Sequence, residues 1–201
     1  MAGLPDWLKS LGRLSFEAYT MSIRRPPAGY VITGAATEEI PALIAIDLAA
    51  SQLFAGTGLL SEAQLVDHVP ETVFRAAIPT GHLHVARDRK GVPVGFVLTS
   101  ERGGVLYLDQ ISVDPGQGRM GLGGALIARV MAEAKDRGLK RVVLSTFRDL
   151  PWNGPFYKKH GFRELPRKKM EKWMIEIEAA QDENGLDVRQ RCFMARRLGW
   201  L

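Results

Sequence analysis

Cysteine is nearly absent from this chain. Its 201 residues contain one, Cys192, so an intrachain disulfide is excluded and a reducing compartment, the cytoplasm, is expected. Cys192 itself reads as a small buried hydrophobe, not as a reactive thiol. Long apolar runs are missing too: none approaches the ~18 residues that a membrane-spanning helix needs. Residues 1–29 show neither the apolar core nor the cleavage site of a secretory signal. There is no internal repeat, no low-complexity tract, and no zinc-finger, basic-zipper or RNA-binding-sheet signature. Neither a nucleic-acid partner nor a membrane is therefore expected. The four histidines, His68, His82, His84 and His160, form no ligand set, and no metal is expected.

The length suits one domain with a sizeable core. A net charge of +5 favours anionic ligands. Much of the excess sits in short runs such as Lys158-Lys159 and Arg167-Lys168-Lys169, where a solvated face is the ordinary role. Residues 1–29 read as a flexible or loosely docked extension, closed by the helix-breaking sequence Arg24-Arg25-Pro26-Pro27. Residues 30–201 read as the folded domain.

Periodicity orders that domain. A short strand begins near Tyr30. A helix then starts around Thr37, with Glu38 and Glu39 in its first turn where the dipole favours acids. A second helix is expected from Ser61 toward Phe74. Strands over 82–88 and 92–100 flank Arg89-Lys90-Gly91 as a hairpin, and a third follows Gly103-Gly104. Leu122, Leu126, Val130, Met131 and Ala134 make the apolar stripe of a helix; Arg129, Glu133, Lys135, Asp136 and Arg137 are assigned to its outer face. Residues 141–147 form a near-continuous apolar strand, so strand, glycine turn, helix and strand make a parallel βαβ unit. A short helix over 155–160, a strand from Phe162, a helix bearing Trp173 and Met174, and a last strand near 188–198 complete an α/β domain. Its central sheet is mixed and mainly antiparallel, flanked by helices.

The chemistry concentrates at residues 112–130, SVDPGQGRMGLGGALIARV. Glycines between a strand and a helix bring backbone N–H groups close to an anion. Gly116, Gly118 and Gly121 spell G-x-G-x-x-G, but a dinucleotide site needs an acid about 20 residues later. Lys140-Arg141 lies there, and Asp149 comes too late. A P-loop is excluded because no Gly-Lys-Ser/Thr follows.

Read as VDPGQGRMGLGGAL, the same letters resemble the pyrophosphate-binding motif of the GNAT superfamily of acyl-CoA N-acyltransferases. Val113, Pro115, Gly121 and Gly123 match it. The motif's Gln/Arg position falls on Gly118, with Gln117 and Arg119 beside it as alternative sources of a polar side chain. A second stretch, WNGPFYKKHGF over 152–162, resembles the superfamily's late helix. The resemblance spans about 30–198 and is strongest over 105–165.

It implies a GNAT-like fold and an N-acetyltransferase with acetyl-CoA as co-substrate. Backbone N–H groups of Gly118, Arg119, Gly121, Gly123 and Gly124 would hold the pyrophosphate. Ile111, Ser112 and Val113 would pair with the pantetheine arm as an added strand. Asn153 is a candidate for a cofactor hydrogen bond or a turn residue, and Arg119, Lys158 and Lys159 are candidates for the 3′-phosphate. Tyr157 occupies the position of the tyrosine that protonates the departing thiolate. Asp109, two residues before Ile111, would share its face in a regular strand and is the candidate base.

The implied acceptor is a primary amine of a small molecule or peptide, and a homodimer stays open. Two alternatives remain: a non-catalytic acyl-CoA-binding sensor on the same scaffold, and a nicotinamide-dinucleotide-binding protein.

Overall fold

A computed structural model describes residues 26–199. The expected N-terminal extension lies almost wholly outside the described residues. The apolar runs fold as β1 (Val31–Gly34), β2 (Leu83–Arg87), β3 (Pro93–Arg102), β4 (Val105–Val113), β5 (Arg141–Phe147), β6 (Arg163–Glu164) and β7 (Arg191–Arg197). They form one sheet in the order β1-β2-β3-β4-β5-β7-β6. Neighbours are antiparallel except β4 and β5, which run parallel as the βαβ pattern requires.

The helices are α1 (Ile40–Ser51), α2 (Glu62–Leu65), α3 (Glu71–Ala77), α4 (Leu122–Asp136), α5 (Gly154–Lys159) and α6 (Lys172–Glu183). The single helix expected from Ser61 to Phe74 is two pieces. Ser61 caps α2 by accepting the Gln64 N–H, but Pro70 cannot continue a helix from the preceding residue and instead precedes α3. In the β2–β3 hairpin, Asp88 Oδ1 accepts the N–H groups of Lys90 at 2.8 Å and Val92 at 2.9 Å, which fixes the turn.

One face of the sheet is covered by α4, whose Leu122, Leu126 and Val130 pack on Val97, Leu106, Val142 and Leu144. Truncating a fully buried leucine there, such as Leu126→Ala, costs about 2–5 kcal/mol. Tyr157 and Phe162 extend the same cluster. The opposite face carries two separate clusters. In one, α1 and α3 pack Leu43, Ile46 and Phe74 on Phe96 and Leu98. In the other, Met174 of α6 packs on Val105, Tyr107, Val143 and Phe193. The interval between them lies over β4 beyond Tyr107.

Glu133 corrects the assignment of α4's outer face. It is 3% exposed and accepts hydrogen bonds from Thr99 Oγ1 at 3.0 Å and Arg137 Nε at 3.0 Å. It also meets His82 Nδ1 at 2.9 Å and His84 Nε2 at 3.2 Å. Polar partners on β2 and β3 make burial of this carboxylate tolerable.

The sheet opens at β4. Pairing with β5 stops after Leu106↔Val142, Tyr107↔Val143 and Leu108↔Leu144. At the same level the register with β3 shifts: Leu98 pairs with Gln110, but Thr99 pairs with Leu108. Asp109 is the extra residue of a β-bulge. A bulge sharpens local twist and bends its strand, and here β4 and β5 part.

Candidate functional site

Beyond the bulge, β4 keeps one neighbour, β3. Asp114 donates its N–H to Val94 at 2.9 Å. Antiparallel pairing alternates, so Ser112 and Gln110 also direct their backbone groups at β3, opposite Phe96 and Leu98. Ile111 and Val113 are out of phase, and their N–H and C=O groups face the side that β5 has left. Among the described residues, two of the three expected strand residues therefore present a free backbone edge. Ser112 does not; its hydroxyl donates to Asp47 Oδ1 at 2.7 Å.

The glycine turn follows at the end of this edge. Asp114 Oδ1 accepts the Gly116 N–H at 2.8 Å, and Pro115–Gln117 form a single 3₁₀ turn. Gly118 donates its N–H to Pro115 O at 3.1 Å, so its donor is used inside the turn and leaves the expected set. Gly121 caps α4 with φ +86°, where a side chain is strained. Arg119, exposed, takes φ +60°. Left-handed residues at such a bend shape anion-binding concavities. The first intrahelical bond is Ala125 N–H to Gly121 O, so the N–H groups of Gly121, Leu122, Gly123 and Gly124 have no partner within the helix. They stand at the positive end of the 15-residue α4.

α5 closes over this start. A Cβ on Gly123 would meet Phe156 Cζ at 3.2 Å, and one on Gly154 would clash with the Arg148 carbonyl oxygen. Gly154 is thus required for α5 to begin where it does. Asn153 precedes it, donating Nδ2–H to Thr146 Oγ1 at 2.8 Å and accepting the Tyr157 N–H at 3.0 Å. Its side chain holds α5 to β5. Tyr157 is buried, with its ring against Phe156 and Phe162. Burial pushes its phenol well above the ordinary tyrosine value, which keeps the proton in place as an acid requires. Lys158 and Lys159 are exposed in the last turn of α5.

Asp109 does not share a face with Ile111. The bulge breaks the alternation: Ile111 packs against the cluster under α4, whereas Asp109 Oδ1 lies 3.7 Å from Arg102 Nη2. Arg102 in turn sits over the Tyr107 ring, 5.7 Å from its centroid. Asp109 Oδ2 is buried and, among the described residues, has no hydrogen-bond partner. Burial holds this carboxyl above the ordinary aspartate value, against the opposing pull of Ser100 and Arg102. Tyr107 is pushed up to about 12, chiefly by burial and then by the Asp109 charge. Tyr157 and Asp109 thus stand on opposite sides of the sheet, Tyr157 within the α4-side cluster.

Other residues around the opening were not singled out from the sequence. Gln110 Nε2 donates to Asp47 Oδ1 at 2.8 Å, so α1 is tied to β4 beside the bulge. Phe54, just past α1, meets Phe147 at 5.6 Å and Trp152 at 6.2 Å between ring centroids. Arg191 lies over Phe147, 4.7 Å from its centroid. These groups come from segments far apart in the chain, so no local spacing links them.

Residues 54–162 match the Acetyltransferase (GNAT) family. A mycothiol acetyltransferase from Clavibacter michiganensis subsp. michiganensis is 30% identical over 152 residues, which are 74% of this chain and 47% of that protein. The chain therefore spans about half the length of this curated relative. N-acetylglutamate synthase from Neisseria gonorrhoeae, complexed with coenzyme A and N-acetyl-glutamate, superposes with a TM-score of 0.65 at 16% identity. The match covers 86% of this chain and 36% of that one. PaiA N-acetyltransferase from Thermoplasma acidophilum, in complex with coenzyme A, gives 0.62 at 14% identity over 84% of this chain and 99% of that one. At these identities the structures establish a shared fold.

Proposed function

The chain belongs to the GNAT acetyltransferase family, and on that premise we propose that it transfers an acetyl group from acetyl-CoA to a primary amine of a small molecule or peptide. The carrying observation is the open backbone edge of Ile111 and Val113, which begins at a bulge and ends at the donor-rich start of α4. Coenzyme A has a pantetheine arm with two amides and a pyrophosphate, so its parts suit that edge and that helix terminus in order. Two structures of the same fold contain coenzyme A.

In this reading the N–H groups of Gly121, Gly123 and Gly124, with Arg119, hold the pyrophosphate. Lys159 and Lys158 attract the 3′-phosphate. Ile111 and Val113 hold the arm in register, which sets the thioester at the parting of β4 and β5. Acetyl-CoA supplies an acyl carbon activated by its thioester. Asp109 Oδ2 accepts a proton from the amine as the new N–C bond forms. Tyr157 gives its proton to the sulfur as the C–S bond breaks, so the products are an N-acetyl amide and a free thiol. Acid and base reach one opening from opposite faces, which separates the two proton transfers.

The test is thiol release from acetyl-CoA by the purified protein with a panel of primary amines, with product masses recorded. An amine-dependent rate, with an acetylated product and a lower kcat in Tyr157→Phe, is the expected outcome. No amine-dependent release, despite saturating coenzyme A binding, would favour a binding module and remove this proposal.

A further inference from the structure

Arg191 opens β7 opposite Phe147. Its Nε donates to Gln181 Oε1 at 3.0 Å and its Nη2 to Ser145 Oγ at 3.3 Å, while its plane lies over Phe147. All three partners are uncharged. The titratable groups that act on it are Tyr107, Cys192 and Tyr157, which are neutral at pH 7. Other arginines nearby each have a carboxylate: Arg102 with Asp109, Arg141 with Glu171, Arg148 with Glu164, and Arg167 with Glu178. Among the described residues Arg191 has none. It is only partly exposed, and burial pulls its pKa down. A guanidinium withdrawn from water without a counter-ion is costly, and its planar fork fits a carboxylate.

Its place gives that charge a use. Ser145 is the first β5 residue beyond the last β4–β5 pair, so the Nη2 contact puts the guanidinium at the edge of the opening. Both Asp109 and Arg191 act electrostatically on the Tyr107 phenol, the first raising its pKa and the second lowering it. Asp109 Oδ2, buried and without a hydrogen-bond partner among the described residues, stands on the Tyr107 side of the same opening. A carboxylate with one unpartnered oxygen and a guanidinium with no carboxylate among the described residues thus act on one phenol, at the opening where the acyl group would be transferred.

We propose that the acceptor is an amino carboxylate of the α-amino-acid class, with Arg191 binding its carboxylate while Asp109 receives the amine. This rests on the acetyl-transfer reading above and narrows its acceptor. Phe54, Phe147 and Trp152 form an aromatic group beside the Arg191 guanidinium, against which the acceptor's side chain would pack.

The experiment compares three arms at saturating acetyl-CoA: α-amino acids, their carboxamides, and the matching amines without the carboxyl group. The best amino acid should exceed its carboxamide by about 10- to 100-fold in kcat/KM, mostly through KM, as a charge-assisted contact predicts. Arg191→Gln should bring that ratio close to one, and Arg191→Lys should restore part of it. Ser145→Ala, which leaves the guanidinium in place but removes one anchor, should lower the ratio to a smaller degree. A merely structural Arg191 would slow both substrates alike and leave the ratio standing, which overturns the inference. So would equal acetylation of carboxamides or simple amines by the unaltered protein, although acetyl transfer itself would then stand. Release of coenzyme A with no amine in any arm would remove both readings.

Discussion

Ser112 donates a 2.7 Å hydrogen bond to Asp47 and thereby ties α1 to the strand that opens the site. Asp47 is 2% exposed. Its Oδ1 also accepts Gln110 Nε2, and its Oδ2 accepts the Val69 N–H at 3.0 Å. One buried carboxylate thus joins α1, β4 and the segment before α3 through three neutral donors. It holds the polar half of β4 against the helix whose C-terminal end leads to Phe54.

Asp47→Ala should destabilise the fold by about 3 kcal/mol, because one buried and two partly buried donors lose their acceptor. Asp47→Asn should cost less, since an amide still accepts on one side. Denaturant unfolding measures both. Equal stability of Asp47→Ala and the unaltered protein would show that water replaces the carboxylate and that the clamp is not structural.

Gly121→Val should weaken coenzyme A binding by about 10-fold or more. The left-handed φ of +86° costs a β-branched residue about 1–2 kcal/mol, and the branched side chain stands where the backbone N–H groups would be approached. Titration calorimetry with coenzyme A reads the effect directly. Unchanged affinity would place the pyrophosphate elsewhere.

Local features of this site were legible in the sequence, and pairwise ones were not. Gly121, Gly123 and Tyr157 lie in two short motifs whose spacing is a property of one segment, so their elements could be placed in advance. The bulge at Asp109 depends on how β4 registers against Leu98 and Thr99 of β3. That register sent Asp109 to the face opposite Ile111, and the same pairing phase withdrew Ser112 from the free edge. Gly118 was lost from the donor set for a still more local reason, a 3₁₀ bond to Pro115 that glycine spacing alone does not reveal. Glu133 reads as surface on a helical wheel because its partners His82, His84 and Thr99 lie 34 or more positions away.

Glu133→Gln should lower stability at neutral pH and matter less in acid. Burial alone would raise the Glu133 pKa, but hydrogen bonds from His84 and Thr99 and the charge of Arg137 draw it below the ordinary value. A group with a depressed folded pKa contributes stability above its unfolded pKa and loses it as pH falls through the folded one. Unfolding midpoints of the two proteins should therefore converge below about pH 4, given an ordinary glutamate pKa of about 4.3. A difference that persists in acid would assign the effect to packing instead of charge.

Asp109→Asn should make the protein more stable and less active at once. The folded pKa of Asp109 lies above its unfolded value because of burial, so the native state holds its proton over the window between the two. Stability contributed by this group is then lost as pH rises through that window, and at neutral pH the ionised carboxylate is a net cost. The amide removes the cost but cannot accept a proton. The unaltered protein should lose kcat/KM as pH falls through a pKa above the ordinary aspartate value. Asp109→Asn should be slow at every pH and lack that limb. The alkaline side should not report Tyr157, whose buried phenol keeps its proton well past the ordinary tyrosine value. If Asp109→Asn is stabilised yet retains both its rate and its acid limb, the carboxylate is a strained bulge residue and the base lies elsewhere. Loss of both stability and activity would instead mean that the Arg102 contact outweighs the burial cost, contrary to the raised pKa.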